Sequence, residues 1–409
     1  MNKNEIKKIV LAYSGGLGTS IIIPWLKENY NNPEIIAVAG NVGQADELDG
    51  LEEKALKTGA SKLIVADLTG EMVNDIIIPC LKMDAKYEKY LLGTAFSRPV
   101  IGKKLAEIAV AEGADAIAHG CTGKGNDQVR FEVAITSLDP DLQVLAPVRE
   151  WDLLTRPQEM EWAEAHGVPV PTTKGSPYFI DDNLWGRAIE CGVLEDPWNE
   201  PPADIYSLTV DPQQCPDEPE VAVIGFTAGV PSSVNGEPMS FIDCIWKMNE
   251  IAGRNGYGRV DMIENRLVGV KSRECYEVPG ALAIITAHRE LEDLCLSRDV
   301  LHYKPQIEQE WARLVYNGLW FSPQKNALDA FNASTQTMVT GEVRLKFYKG
   351  SCTVVGRKSP NSLYDFGLAT YDSGDTFDRD SAKGFIDLHG LPTRTWAKQR
   401  KDAGAEGVI

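Results

Sequence analysis

The chain has 409 residues, 43% of them hydrophobic and 24% charged, with a formal net charge of −18. It is too long for a single core and has the makeup of a globular protein of two or three domains, and so acidic a chain is poorly suited to holding tRNA or DNA. No apolar run reaches membrane length, no signal peptide is visible at Met1–Lys8, and eight cysteines lack any CxxC pair or metal-ligand spacing with the five histidines, which points to a reduced cytoplasm, free thiols and no metal site.

The first element is the apolar run Ile9–Ala12, which reads as a buried strand. Ser14, Gly15 and Gly16 follow as a turn that lets backbone pass close to a ligand, and Thr19 and Ser20 open a helix. A strand, a glycine turn and a helix N-terminus together aim free N–H groups at one point, which suits a phosphate. The loop is not a Walker loop, since no Gly-Lys-Ser/Thr ends it. A dinucleotide fingerprint fits poorly, because Ile21 occupies the third glycine position and the next strand ends in Gly40-Asn41 without an acid for a ribose.

Further along, Ile35–Ala39, Lys62–Ala66, Ala116–Ala118 and Val144–Ala146 are strand candidates, and Leu48–Thr58 and Ser97–Glu112 are helical. This alternation over residues 1–170 predicts an α/β domain whose mostly parallel sheet binds ligands at the carboxyl ends of its strands. Gly43-Gln44 and the stretch from Gly120 to Asp127 are expected on the same edge as the Ser14 loop. In His119–Glu132, Thr122, Asn126 and Asp127 offer hydroxyl, amide and carboxylate, and Arg130 can grip a carboxylate with two parallel bonds. That set suits a small zwitterion. Tyr90 and Thr94 are candidate pocket residues.

A second domain is expected after Pro169-Val-Pro171. Asp181–Gly192 reads as a helix started by Asp181 and Asp182, and a proline-rich passage through Pro219 as an extended connection. Val221–Phe226 with the Asn235-Gly236 turn reads as a hairpin, Phe241–Arg254 as an amphipathic helix and Gly258–Asp261 as a strand. Ala281–Leu319 reads as largely helical with a break near Pro305. Pro323–Thr337 is another helix, and Val343–Tyr348 with Cys352–Val355 a hairpin across Lys349-Gly350. The second half is thus α+β, and the last forty residues form an arm with little core of its own, expected to lean on a neighbouring subunit.

Ser14-Gly-Gly-Leu-Gly-Thr-Ser20 resembles the Ser-Gly-Gly-x-Asp-x-Ser loop of ATP pyrophosphatases, which cleave ATP between the α- and β-phosphates. Nearly end to end, the chain resembles the argininosuccinate synthase family. The likeness runs through Ala12–Ser20, Val42–Gln44, Tyr90–Pro99, His119–Glu132, Asp181–Pro197, Gly256–Arg266, Lys271–Arg273 and Lys349–Leu368. It implies an ATP pyrophosphatase-type domain (1–170), a synthetase domain (171–370) and a C-terminal oligomerisation arm (371–409), assembled as a cytoplasmic homotetramer. It implies a ligase that adenylates the ureido oxygen of citrulline and couples its carbon to the aspartate amine, with ATP and Mg²⁺ entering as substrate. By position, Ala12, Tyr13, Ser14, Gly15, Gly16, Leu17, Gly18, Thr19, Ser20, Ala39 and Gly120 fall to ATP. Thr122, Asn126 and Asp127 fall to aspartate, and Tyr90, Ala95, Asn126, Arg130, Phe179, Ala188, Glu264 and Tyr276 to the citrulline side, with Asp127, Arg130 and Gly18 at the chemistry.

Four positions depart from the family pattern. Gly18 stands in place of the loop aspartate, and Ala95, Phe179 and Ala188 in place of serines that contact citrulline. Each lost hydroxyl forfeits ~0.5–1.5 kcal/mol of net hydrogen bonding, and Phe179 adds bulk. The departures suggest an acceptor pocket remodelled toward a less polar partner, with ATP and aspartate use kept. The competing readings are a catalytically impaired paralogue that binds nucleotide in a regulatory role, and a sulfur-delivering tRNA-modifying pyrophosphatase, which the acidic charge and unpaired cysteines oppose.

Overall fold

The computed structural model describes residues 3–44, 48–153, 155–169 and 177–404. Residues through Asn361 pack as one compact unit and those from Ser362 as another. The boundary expected after Pro171 falls outside the described residues. No helix among the described residues is long and apolar enough to cross a membrane.

Strands β1 (Lys8–Ala12), β2 (Glu34–Asn41), β3 (Lys62–Asp67), β4 (Ala116–Ala118) and β5 (Gln143–Leu145) form a parallel sheet in the order β3-β2-β1-β4-β5. Ile9 and Leu11 of β1 pack with Ile21, Ile22 and Trp25 of the helix Leu17–Asn29. Val10 packs in the opposite layer with Leu105, Phe131 and Ile135, from the helices Gly93–Glu112 and Asp127–Leu138. Burial on both faces explains why these strands are continuous apolar runs rather than alternating ones. The chain moves outward from β1 to β3, then returns to lay β4 beside β1. The order reverses between β1 and β4, so the loops leaving their carboxyl ends share a crevice, the usual ligand position of such sheets.

The second half holds two antiparallel sheets. One has the order β11-β12-β7-β6, from β6 (Phe179–Asn183), β7 (Gly186–Glu190), β11 (Arg259–Asn265) and β12 (Lys271–Glu277). The other has the order β10-β9-β8-β13-β14, from β8 (Glu220–Thr227), β9 (Val230–Val234), β10 (Glu237–Pro238), β13 (Gly341–Tyr348) and β14 (Ser351–Lys358). Against the latter packs the helix Pro279–Cys295, itself beside Phe241–Arg254.

Three local expectations are corrected. Asp181–Gly192 is not a helix but most of the β6–β7 hairpin. Leu184 and Trp185 bury at its turn, and Gly186 at φ +152° lies where a methyl group would overlap Val278 and the Glu277 carbonyl. Pairing of β7 with β12 overrides the local Asp181-Asp182 start signal. The helical region does not break at Pro305. It breaks at the extended Leu296, after which Ser297 begins the helix Arg298–Tyr316, and Pro305 sits inside it. Burial of Lys304, Glu308 and Trp311 on that helix holds it across the proline, whose local cost is about 3 kcal/mol. Finally, β8 turns into β9 at Ala228-Gly229, and Asn235-Gly236 turns β9 into β10. Both pairs have the positive φ angles that tight hairpins demand.

The unit from Ser362 contains the helices Phe366–Ala369, Arg379–His389 and Leu391–Asp402, none with a buried residue. Asp365 and Asp378 cap the first two by accepting from backbone N–H groups.

Candidate active site

The β1 loop reaches the crevice as the glycine turn requires. Gly15 has φ +74°, and a methyl group there would overlap Leu51. Gly16 precedes the helix Leu17–Asn29, and Ser20 N donates to Gly16 O at 3.0 Å, the first helical bond. By helix geometry the amides of Leu17, Gly18 and Thr19 are then left for a ligand. Ser14 Oγ lies 3.2 Å from Thr19 Oγ1 and accepts from Gly16 N, so the turn is braced from within. Tyr13 is buried, its hydroxyl 3.2 Å from Ser20 Oγ, and its amide donates to Val38 O beside Ala39. Ala12 ends β1 and Ala39 lies near the end of β2, so both stand at this edge. Gly18 opens onto free space, with no atom within 4 Å of where a Cβ would stand. Lys54 Nζ donates to the Gly15 carbonyl and brings a cation to the loop.

The β4 loop lies against it. A methyl group at Gly120 would come 3.0 Å from Thr19 Cγ2 and 3.1 Å from Ile22 Cδ1, so the two bends touch closely here and a larger residue would push these side chains aside. His119 Nδ1 accepts from Cys121 N, which leaves its Nε2 proton for Glu132 at 3.2 Å. Thr122 is exposed at the tip. Asn126 is buried and held at both ends: its amide N donates to Tyr316 Oη at 2.8 Å, and its oxygen accepts from Leu267 N at 2.9 Å.

Asp127, the first residue of the helix that follows, meets two guanidinium groups. Arg98 Nε donates to it at 2.8 Å and Arg130 Nη1 at 2.9 Å. Burial alone would raise its pKa, but the two arginines outweigh burial and lower it, so the carboxylate stays charged and is a poor base. Arg98 also donates from Nη2 to Asp181 Oδ2 at 2.9 Å, tying the nucleotide sheet to the β6–β7 hairpin. Arg130 gives Nε to the Tyr316 carbonyl at 3.1 Å and lies over that ring at 4.9 Å. Its Nη2 is buried without a hydrogen-bond partner. A buried, unsatisfied guanidinium N–H is costly, and an anionic or carbonyl ligand oxygen would satisfy it.

The residues expected on the citrulline side converge as well. Tyr90 stacks on Tyr276 at 4.6 Å, and Tyr90 Oη accepts from the amide of Ala95 at 3.0 Å. Tyr276 Oη donates to Glu264 Oε2 at 2.6 Å, and Tyr316 Oη donates to Glu264 Oε1 at 2.5 Å. Burial and then the Glu264 charge raise the pKa of both phenols, so both stay protonated donors. Ala188 lies opposite Tyr276 on one side and Asp181 on the other. Phe179 pairs with Glu190, and its side chain is 58% exposed rather than packed inside.

Sequence reasoning misses Arg98, Asp181, Tyr316, Glu190 and Glu274 as members of this constellation. Arg98 sits inside a singled-out stretch, but its partners lie 29 and 83 residues away and leave no local signature. Outside the site, Asp84, His288 and Glu292 are grouped closely enough to hold a metal ion. Lys304 Nζ already stands there, 3.0 Å from Glu292 and 3.8 Å from Asp84, and both His288 nitrogens face oxygens, so the cluster balances its charges internally.

A five-stranded parallel sheet with a glycine-rich loop at its switch point fits an α/β domain of the ATP pyrophosphatase type. The profile described as Arginosuccinate synthase N-terminal HUP domain matches residues 8–169, and that described as Arginosuccinate synthase C-terminal domain matches residues 178–396. The chain is 54% identical over 396 residues to an argininosuccinate synthase of Streptococcus suis, covering 97% of this chain and 99% of that one. It is 55% identical over 393 residues to that of Streptococcus gordonii (96% and 98% covered), and 54% over 404 residues to that of Geobacillus thermodenitrificans (98% and 99% covered). A U34-tRNA thiolase from Methanococcus maripaludis overlaps 42% of this chain and 62% of its own at 19% identity, with a TM-score of 0.27, too weak to bear on function. The chain belongs to the argininosuccinate synthase family, ATP-dependent carbon–nitrogen ligases.

Proposed function

We propose that the protein adenylates the oxygen of a ureido acceptor and couples the acceptor carbon to the amine of aspartate. ATP, entering as its magnesium complex, lies along the β1 loop with its phosphates on the amides of residues 17–19. The loop carries hydroxyls and no carboxylate, so the metal is held by the phosphates rather than by this segment. The ureido oxygen attacks the α-phosphorus, and the bond from that phosphorus to the bridging oxygen breaks to release pyrophosphate. The aspartate ammonium first gives one proton to water; the resulting amine adds to the ureido carbon, the carbon–oxygen bond to AMP breaks, and the nitrogen loses a second proton to water.

The observation that carries this reading is the free Nη2 of buried Arg130 beside a charged Asp127. Asp127, kept ionised, holds the aspartate ammonium, with Thr122 and Asn126 on its carboxylates, while Arg130 meets the ureido oxygen. No covalent nucleophile is needed, since aligning the reactants supplies about 7–11 kcal/mol. The acceptor end, with Ala95, Phe179 and Ala188, is altered toward a partner other than citrulline. Residues 371–409 serve as an arm between copies in a homotetramer.

The test is pyrophosphate and AMP release by the purified protein with ATP, aspartate and a panel of ureido compounds. Release that depends on both aspartate and an acceptor supports the reading, and none with any acceptor refutes it. The empty space at Gly18 favours a second reading, a nucleotide-binding regulatory paralogue, which predicts ATP binding without pyrophosphate release.

A further inference from the structure

The four-stranded sheet turns one face toward Arg98 and Tyr316, and its register fixes what that face presents. Tyr276, Ala188 and Asp181 form one row, and Glu274, Glu190 and Phe179 the next. Glu264 of β11 adjoins them through its bond to Tyr276. Three carboxylates, Glu264, Glu190 and Asp181, therefore share one wall with Glu274, an acid that burial and the charge of Glu190 keep protonated.

Among the described residues, the cations on that wall are committed. Arg266 donates from Nε to Ser272 Oγ at 2.8 Å and from Nη2 to Glu190 and to Glu274, the latter at 2.8 Å. Arg98 donates to Asp181 and Asp127. Glu264 is only 4% exposed yet pairs with no cation among the described residues, because its two oxygens are met by neutral tyrosine hydroxyls. The hydroxyls are committed as well: Ser272 Oγ donates to Glu274 at 2.9 Å, and Tyr276 and Tyr316 donate to Glu264. The two remaining places in the rows are filled by Ala188 and Phe179, which offer no donor. The free Nη2 of Arg130 belongs to the end assigned above to the ureido oxygen.

A carboxylate brought to this wall would meet like charge and find no uncommitted donor among the described residues of the wall, both costly at a desolvated site. An ammonium group would neutralise a buried acid that has no cation, and its alkyl stem and the ring of Phe179 would shed water together. Building on the ligase reading, we propose that the acceptor is a ureidoalkylamine, with a protonated amine and no carboxylate at the end away from the ureido group. Selection lies in the wall of Glu264, Glu190, Phe179 and Ala188.

The test uses the full chain with ATP, magnesium and aspartate, and compares 4-ureidobutan-1-amine with citrulline by pyrophosphate release. The expected kcat/KM is about tenfold or more higher for the amine, the scale of one desolvated charge contact. Equal or better use of citrulline overturns this inference while leaving the ligase reading standing. If neither these two nor any other ureido compound of the panel releases pyrophosphate, the ligase reading fails, and calorimetric titration of the ATP-loaded protein decides the acceptor question. Tighter binding of the amine by about tenfold supports the proposal, whereas comparable affinities, tighter citrulline or no amine binding overturn it. The double variant Phe179→Ser, Ala188→Ser supplies two hydroxyl donors and is expected to shift preference toward citrulline by about tenfold; an unmoved preference overturns the role given to these side chains.

Discussion

Replacing Arg98 with methionine removes the only guanidinium in the described structure that bonds both the β4 loop helix and the β6–β7 hairpin. Two charge-assisted bonds disappear, at 2.8 Å to Asp127 and 2.9 Å to Asp181. Such bonds contribute about 1.5–3 kcal/mol each when buried. Asp127 and Asp181 keep 26% and 32% of their side-chain surface in water, and Asp127 retains Arg130, so the sum falls to about 2–3 kcal/mol. Urea unfolding should show that loss directly. Because Asp127 is freed on one side, the KM for aspartate should also rise, by about tenfold for each 1.4 kcal/mol of lost alignment, with kcat less affected. Arg98→Lys keeps the charge but not the two-way reach and should recover about half of the stability. An Arg98→Met protein within about 0.5 kcal/mol of the parent, with unchanged KM for aspartate, would refute the idea that this ion pair positions the site.

Gly18→Asp meets no neighbour within 4 Å and places an acid in the first helical turn. It should stabilise the chain by about 0.5–1 kcal/mol in a thermal melt and speed ATP–pyrophosphate exchange; an unchanged exchange rate removes position 18 from the chemistry. Gly43→Ala forces a side chain into φ +104°, with its methyl 2.6 Å from Leu184 Cγ, and should cost about 1–3 kcal/mol in urea unfolding. A neutral result there would mean the β2 loop and the hairpin turn are not in contact. Burial, and then the charge of Glu190, push Glu274 up to about 8. Since the folded state holds that proton where the unfolded chain releases it, stability should fall as pH rises from the ordinary carboxylate range through about 8. Glu274→Gln should flatten that fall in urea titrations between pH 5 and 8.5, and an identical slope in the variant would show the proton is not held there.

The parallel sheet and both glycine loops are legible because their cause is local. Apolar runs such as Ile9–Ala12 must bury, Gly15 stands where a side chain collides, and Gly120 where one is crowded. The hairpin at Phe179–Glu190 is not legible, since two aspartates imitate a helix start while the deciding partner, β12, lies some eighty residues on. Arg98 is hidden for the same reason: what it does is set by carboxylates that the fold, not the sequence neighbourhood, delivers. Tyr316 and Leu267, which fix Asn126, come from the far half of the chain and give no sign near the loop they serve.

That last arrangement bears on how the protein is made. When the ribosome has released only the nucleotide sheet, Asn126 has neither Tyr316 nor the Leu267 amide to fasten it, and Arg130 has no carbonyl at 316 to anchor its Nε. Contacts spanning 141 to 190 residues are slow to close. A chain that ends before Leu267 thus lacks every one of these three anchors, and the side chains at 126 and 130 reach their final setting only when the last third of the polypeptide is in place.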